Sequence, residues 1–246
     1  MSALAVALFV ALAVNLLLGA LALWRGAVSR SGYIGGVVIG TTILACAGWP
    51  GWAFLVGFFV LGSAATRIGY ARKAQAGLAQ EDRGRRGSKH ALANCSTAVG
   101  LSVAVVVWPA QGPLFLLGIA AAFATALSDT LGSEVGQLYG RTPFLPTTFR
   151  RVEPGTEGAI SVEGTLAGVA GSLLMAAIGW GFGVYGYAGL ILVAVGAFVG
   201  TLVESYLGAI WGQDARIGNE TMNFMNTVVG AAVAMGLAVW LSVWLA

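Results

Sequence analysis

The stretch PLFLLGIAAAFATALSDTLGSEVGQLY, residues 113–139, decides how this chain folds. Its first 16 residues, up to Ser128, carry no charge, and only then do Asp129 and Glu134 follow. About 20 residues of helix cross the hydrocarbon core of a bilayer, so an apolar run that ends in polar residues is typical of a helix ending at the membrane surface. The stretch therefore predicts a transmembrane helix with carboxylates at one end.

Similar apolar stretches occur along the whole chain. Of the 246 residues, 58% are hydrophobic and 9% are charged, against about 25% charged in an average soluble domain, and the mean hydropathy is +0.84. These values exclude a soluble globular domain, a disordered chain and a secreted disulfide scaffold. We expect one all-α domain over residues 1–246, a polytopic bundle of about 7–8 transmembrane helices. Hydropathy places these helices at residues 2–24, 33–48, 51–69, 91–108, 113–139, 160–180, 186–208 and 221–245.

Charged residues are confined to alternate connections between the predicted helices. All 13 basic and 10 acidic residues fall within residues 25–30, 67–89, 129–163 and 204–220. The remaining connections contain no charge. Because basic residues accumulate in cytoplasmic loops, we expect the four charged segments in the cytoplasm, including a basic loop at 67–90 and a second loop at 140–159. The protein would then lie in the cytoplasmic membrane with a site facing the cytoplasm and both termini outside.

Polar side chains are predicted to collect at this cytoplasmic boundary. Ionisable groups that border transmembrane spans are costly and are functional candidates, although ordinary helix ends also dip into the headgroups. Mg²⁺ usually takes one or two carboxylates and completes its shell with phosphates and water. We expect Asp129 and Glu134 to bind Mg²⁺ and nucleotide, with Glu163 as a third catalytic residue that assists with the metal or with the phosphate site of the sixth helix. The residues expected to complete a polar pocket are Asn94, Ser133, Glu204, Ser205, Asn223 and Asn226.

Basic residues precede the predicted fourth helix. Arg85, Arg86 and Lys89 lie just before Asn94 and could hold a polyphosphate or a lipid phosphate. Alternatively, these basic residues set the orientation of the helices in the membrane and also attract anionic lipid. Solute transporters usually need polar chemistry near the bilayer midplane, and the outer halves of these helices offer little of it.

Glycines follow Asp129 along one face of the predicted fifth helix. Gly132, Gly136 and Gly140 recur every four residues. Such a repeat serves close helix packing, but behind an aspartate at the membrane edge it could instead admit a nucleotide to the backbone. Gly164 and Thr165 enter the next helix, whose free backbone N–H groups favour phosphate. The sequence contains no Walker A motif, so any kinase chemistry would belong to another class.

Five motifs together resemble the DUF92 or TMEM19-like membrane family, which includes the phytyl-phosphate kinases of tocopherol (vitamin E) synthesis. The resemblance covers roughly residues 30–245. Asp129 and the three glycines after it also resemble the CTP-binding motif of dolichol and phytol kinases, which often has Ala where this chain has Gly132. The dolichol-kinase Asp-rich segment has no counterpart beyond Glu204-Ser205. The five motifs are Gly84-Arg-Arg-Gly-Ser-Lys-His-Ala-Leu-Ala-Asn94, Ser128-Asp-Thr-Leu-Gly-Ser-Glu134, Pro154-Gly-Thr-Glu-Gly-Ala-Ile-Ser161, Glu163-Gly-Thr-Leu-Ala-Gly168 and Glu204-Ser-Tyr-Leu-Gly208.

The resemblance implies a Mg²⁺-dependent membrane kinase that uses CTP or another NTP to convert phytyl or geranylgeranyl monophosphate into the diphosphate. Within enzymes, the alternatives are a polyprenol or phytol kinase and a cytidylyltransferase of the CDP-diacylglycerol type. Outside enzymes, the alternative is a transporter or a lipid-binding membrane protein. The expected partners are the bilayer, an isoprenyl phosphate and a nucleotide, with an oligomer possible and no nucleic acid.

Overall fold

A computed structural model describes residues 3–211 and 218–241 of the chain. This part of the chain is helical and contains no strand, which confirms the predicted fold class. Short 3-10 turns at Asp82–Gly84 and Pro109–Gln111 precede two of the helices. The predicted residue 2 of the first helix and residues 242–245 of the last lie outside the described residues. The helices are α1 (Ala3–Trp24), α2 (Arg30–Arg67), α3 (Tyr70–Gln75), α4 (Ser88–Val107), α5 (Gly112–Tyr139), α6 (Val162–Gly181), α7 (Tyr187–Trp211) and α8 (Asn219–Trp240).

Seven of these described helices, all except α3, are long and apolar enough to cross a membrane. Helix α2 is broken at Gly48, whose φ of 66° lies in the left-handed region that glycine adopts readily. A Cβ at Gly32 would meet the Arg86 carbonyl oxygen, and a Cβ at Gly62 would lie 3.0 Å from the Arg86 guanidinium. Both ends of α2 therefore lie beside Arg86, so α2 consists of two antiparallel arms. The bounds of these arms are close to those of the predicted helices 33–48 and 51–69.

Helix α5 is the centre of the bundle. Its residues from Leu117 to Ser128 are all buried, and α2, α4, α6, α7 and α8 pack around it. Alanine dominates this stretch, and small side chains let membrane helices approach closely. Helix α1 packs mainly on α2, at the edge of the bundle. The central position of α5 brings Asp129, just beyond its buried stretch, to the point where the other helices end.

Two connecting segments fold back onto the helix ends. In the first, between α2 and α4, Arg86 pairs with Val28 in a parallel β-bridge, which ties it to the α1–α2 connection. In the second, between α5 and α6, Phe144 bridges to both Arg151 and Ile160. The bridges of Phe144 close the second segment on itself, and a Cβ at its Gly155 would meet Leu78 of the first segment, so both segments lie at the same end of the bundle. The fourth predicted charged segment is described only in part, because residues 212–217 lie outside the described residues.

Candidate functional site

A cavity of about 420 Å³ opens among the ends of α4, α5, α6, α7 and α8. Twelve of the 17 residues proposed from the sequence line it: Arg86, Asn94, Asp129, Gly132, Ser133, Glu134, Gly136, Gly164, Thr165, Glu204, Ser205 and Asn223. Arg85, Lys89, Gly140, Glu163 and Asn226 do not. The helix ends that the sequence predicts to meet at one boundary therefore do meet, around a polar space.

Asp129 and Glu204 form the acidic centre of this cavity. Their carboxyl groups lie close enough to interact with each other, and the Ser133 side chain interacts with Asp129. The Asn226 side-chain amide donates to Glu204 Oε2. Two carboxyl groups in direct contact cannot both stay ionised unless a proton or a cation lies between them, because the like charges repel. The pair is thus suited to hold a divalent cation.

Glu134 has a different environment, although it lines the same cavity. It forms a buried ion pair with Lys73 of α3, and Lys73 Nζ also donates to the Thr66 carbonyl oxygen at 2.9 Å. At 3.6 residues per turn, the five-residue spacing separates Asp129 and Glu134 by about 140° around α5. Their carboxylates therefore point in different directions, and the structure brings Asp129 together with Glu204 rather than with Glu134.

The glycines of α5 make the contact with α6. A Cβ at Gly164 would lie 2.6 Å from the Gly132 carbonyl oxygen and 3.2 Å from Gly136 Cα. A Cβ at Gly140 would meet the side chain of Ser161, whose hydroxyl caps α6 by accepting from the Gly164 N–H at 3.1 Å. The glycines thus allow α5 and α6 to pack closely, which is one of the two roles that the sequence predicts for them. The cavity is also lined by Gly132, Gly136 and Gly164. The contact between these glycines therefore places the start of α6 at the cavity wall.

Arg86 is the basic group of the cavity. Its backbone N–H donates to Ala27 and its carbonyl accepts from Ser29, at 3.0 and 3.1 Å. Its guanidinium lies over the Phe58 ring, 5.5 Å from the centroid. Burial lowers the pKa of Arg86 from its ordinary value, while the charges of Glu134 and Asp129 oppose that shift. An arginine stays protonated in proteins, so the cavity holds a cation with no carboxylate ion pair among the described residues.

The predicted residues outside the cavity have other partners. Arg85 forms an exposed ion pair with Asp82. Glu163 accepts from the Arg141 backbone N–H at 3.4 Å. Lys89 is exposed. Asn226 does not line the cavity but donates a hydrogen bond to Glu204, which does.

Glu157 is the main residue that the sequence interpretation missed. It lines the cavity, and its charge acts on both Asp129 and Glu204. The adjacent Gly158 has φ of +73°, and its N and Cα lie about 3.0 Å from where a Gly208 Cβ would be, so the loop is pressed onto α7. The sequence did contain an indication of Glu157, because this residue stands inside the motif Pro154–Ser161.

Within the described residues, no cluster of three or more acidic, histidine or cysteine side chains could hold a metal.

Comparison with known proteins gives several relatives that match most of this chain. An uncharacterised membrane protein of Synechocystis sp. is 42% identical over 84% of this chain and 81% of its own. The chloroplastic protein VTE6 of Arabidopsis thaliana is 36% identical over 84% of this chain and 64% of its own. An uncharacterised membrane protein of Methanocaldococcus jannaschii is 32% identical over 84% of each chain. No solved structure matches.

The sequence model of the integral membrane protein family DUF92 matches residues 13–239, which is most of the chain. The match confirms the family resemblance that the motifs indicate. The chain belongs to the DUF92 family of integral membrane proteins.

Proposed function

We propose that this protein is a membrane prenyl-phosphate kinase, which transfers a phosphoryl group from CTP or another NTP to an isoprenyl monophosphate. The observation that carries the proposal is the paired carboxyls of Asp129 and Glu204, in one cavity with the Arg86 cation and the start of α6. Membership of a family that includes phytyl-phosphate kinases supports the same activity. The proposed metal-binding pair is therefore Asp129 and Glu204, in place of the pair Asp129 and Glu134 that was expected from the sequence.

The donor set fits Mg²⁺. Asp129 and Glu204 supply hard oxygen ligands, and Mg²⁺ characteristically uses one or two protein carboxylates beside the phosphates of a nucleotide. When bound, Mg²⁺ neutralises negative charge on the phosphates during phosphoryl transfer. Asn226 fixes the Glu204 carboxylate from behind, and Ser133 does the same for Asp129.

The remaining groups position the phosphates. The start of α6, held at the cavity by Gly132 and Gly136, offers the positive end of a helix dipole to a nucleotide phosphate. Arg86 would hold the acceptor phosphate, since a guanidinium matches phosphate geometry. The acceptor phosphate is already ionised near neutral pH, so no strong general base is required.

The activity test uses purified protein with Mg²⁺, labelled CTP, and a panel of prenols and prenyl monophosphates. Appearance of CDP together with a prenyl diphosphate supports the proposal. Release of pyrophosphate would instead identify a cytidylyltransferase. If no nucleotide-dependent product appears, the proposal of an enzyme is wrong, and the alternative of a transporter or a lipid-binding membrane protein is favoured.

The proposed orientation predicts which segments are accessible from each side of the membrane. We place the cavity at the cytoplasmic face, because the charged connections surround it. In a protein whose native Cys46 and Cys95 are replaced, a cysteine at Gln80 should label from the cytoplasmic side, and one at Gln111 from the opposite side. Labelling of both positions from one side would contradict the crossing pattern and the location of the cavity.

The proposed role of Arg86 predicts acceptor preference. Phytyl and geranylgeranyl monophosphates should react at similar rates, and free phytol at least about tenfold more slowly, because phytol leaves the half-buried Arg86 guanidinium without an anionic partner. A charge-assisted hydrogen bond contributes about 1.5–3 kcal/mol, enough for that ratio. Initial rates for phytol and phytyl phosphate are compared in the same detergent. If phytol is the faster acceptor, the protein is a prenol kinase and Arg86 does not hold the acceptor phosphate.

A further inference from the structure

A second cavity of about 510 Å³ lies between α1, the two arms of α2 and the start of α4. Its walls are mainly apolar side chains of these helices, such as Leu18, Leu55 and Phe59. The charged groups Arg25, Arg67 and Arg86 are at one end, where Arg67 donates to the Gly26 carbonyl oxygen at 3.2 Å. This groove therefore has a cationic head and an apolar body.

The groove and the polar cavity meet at Arg86. Arg86 and His90 are the residues that line both spaces among the described part of the chain. Ser63 lines the groove one residue from Gly62, which approaches the Arg86 guanidinium, and its buried hydroxyl has no hydrogen-bond partner there. An anion at Arg86 would thus be within reach of the polar cavity while an attached chain entered the groove.

The far end of the groove is closed by a polar contact. The Trp52 indole N–H donates to Asn15 Oδ1 at 3.1 Å, joining α1 to the second arm of α2. Gly62 and Trp52 are ten residues apart on this arm, about 15 Å at 1.5 Å per residue. The groove therefore reaches about halfway through a hydrocarbon core about 30 Å thick.

We infer that this groove holds the isoprenoid tail of the acceptor with its phosphate at Arg86, and that the Asn15–Trp52 contact limits the tail length. The inference rests on the proposed function, since it locates the acceptor of that reaction. A cationic head, an apolar body and a closed end together match an amphiphile with one anionic group and one chain of limited length. The paired arms of α2 make the walls, so the hairpin at Gly48 is what creates the site.

Gly36 provides the test, because it lines the groove and a Cβ there would meet nothing within 4 Å. Gly36→Leu should fill the groove without disturbing the backbone. We expect kcat/KM for phytyl monophosphate to fall at least about tenfold, the range that a misfitted hydrophobic pocket produces. Gly36 lies four residues, about 6 Å, beyond Gly32 at Arg86, so dimethylallyl monophosphate, whose five-carbon chain is too short to pass it, should change less than about twofold. Gly100→Leu is the matched control, since Gly100 is equally open and lines neither cavity.

A second variant acts in the opposite direction. Trp52→Ala should open the closed end and raise the kcat/KM of a 25-carbon monophosphate relative to phytyl monophosphate by about tenfold. Equal losses for long and short acceptors in Gly36→Leu, or unchanged length preference in Trp52→Ala, would overturn the tail site and leave the kinase proposal intact.

Failure of the kinase proposal itself is recognised separately. If the wild-type protein turns over no isoprenyl phosphate, a phytyl monophosphate carrying a photoreactive group on its tail still tests the groove. Labelling of α1 and α2 peptides that Gly36→Leu abolishes and Gly100→Leu preserves supports the tail site. Labelling that is spread over all helices, or is unchanged by Gly36→Leu, overturns it.

Discussion

Asp129→Asn is expected to lower turnover at least about 100-fold, equivalent to about 2.7 kcal/mol of transition-state stabilisation. Asparagine preserves the size of the side chain and most of its hydrogen bonding, but removes one of the two charges that face a cation in the cavity. Glu204→Gln should cause a loss of similar size. Because both carboxyls would act on the same ion, the double variant should be little worse than either single one. Steady-state rates with CTP and phytyl monophosphate measure all three.

The matched control is Asp82→Asn, which removes an exposed carboxylate outside the cavity. Its turnover should stay within about twofold of the wild type, as surface substitutions away from the site rarely matter. Equal expression and melting temperature of Asp129→Asn would show that the protein folds. Near wild-type turnover of a folded Asp129→Asn protein would remove the carboxyl pair from the proposed mechanism.

Lys73→Met is expected to cause the largest loss of stability. Both partners of the Lys73–Glu134 pair are almost completely buried, and Glu134 Oε1 has no other hydrogen-bond partner within the described residues. Removing one partner of a buried ion pair costs about 3–5 kcal/mol, because it leaves an uncompensated charge. The melting temperature in detergent should fall clearly. Arg72→Met, the exposed neighbour in α3, should change the free energy of unfolding by no more than about 0.5 kcal/mol.

The double variant Lys73→Met/Glu134→Met separates structure from chemistry at Glu134. Replacing both partners of a buried pair with apolar residues is often neutral or stabilising, so most of the lost stability should return. If Glu134 serves only to hold α3 against α5, turnover returns as well. A stable but inactive double variant would restore Glu134 as a metal ligand, and a Lys73→Met protein as stable as Arg72→Met would contradict the role of the ion pair.

Those features that follow from hydropathy could be predicted from the sequence. The break at Gly48 falls between the helices 33–48 and 51–69 that hydropathy predicts, at a Gly-Trp-Pro-Gly stretch that interrupts two apolar runs. The meeting of Asn94, Asp129, Glu204 and Asn223 followed from alternating helix directions, which bring every second helix end to one face.

The choice of partners within the cavity could not be predicted. Glu134 stands close to Asp129 in the sequence, and nothing local to α5 indicates that Lys73, 61 residues away, takes it as a partner. Glu204 belongs to another helix, and its contact with Asp129 depends on how closely α7 approaches α5. At Gly200, a Cβ would lie 2.7 Å from Thr125 Cγ2. Such distances are set by three-dimensional packing, which hydropathy does not record.

The fixed position of Arg86 has a consequence for synthesis of the protein at the ribosome. The groups that hold it, at Ala27, Ser29, Phe58 and Gly62, all precede it in the chain. Chains fold from the N-terminus as they emerge, so the guanidinium can take its place while α5 is still being made. The contact between Asp129 and Glu204 must wait until α7 has been inserted. The anion-holding half of the cavity is thus the first to assemble, and the carboxyl centre is completed only after α7 has followed.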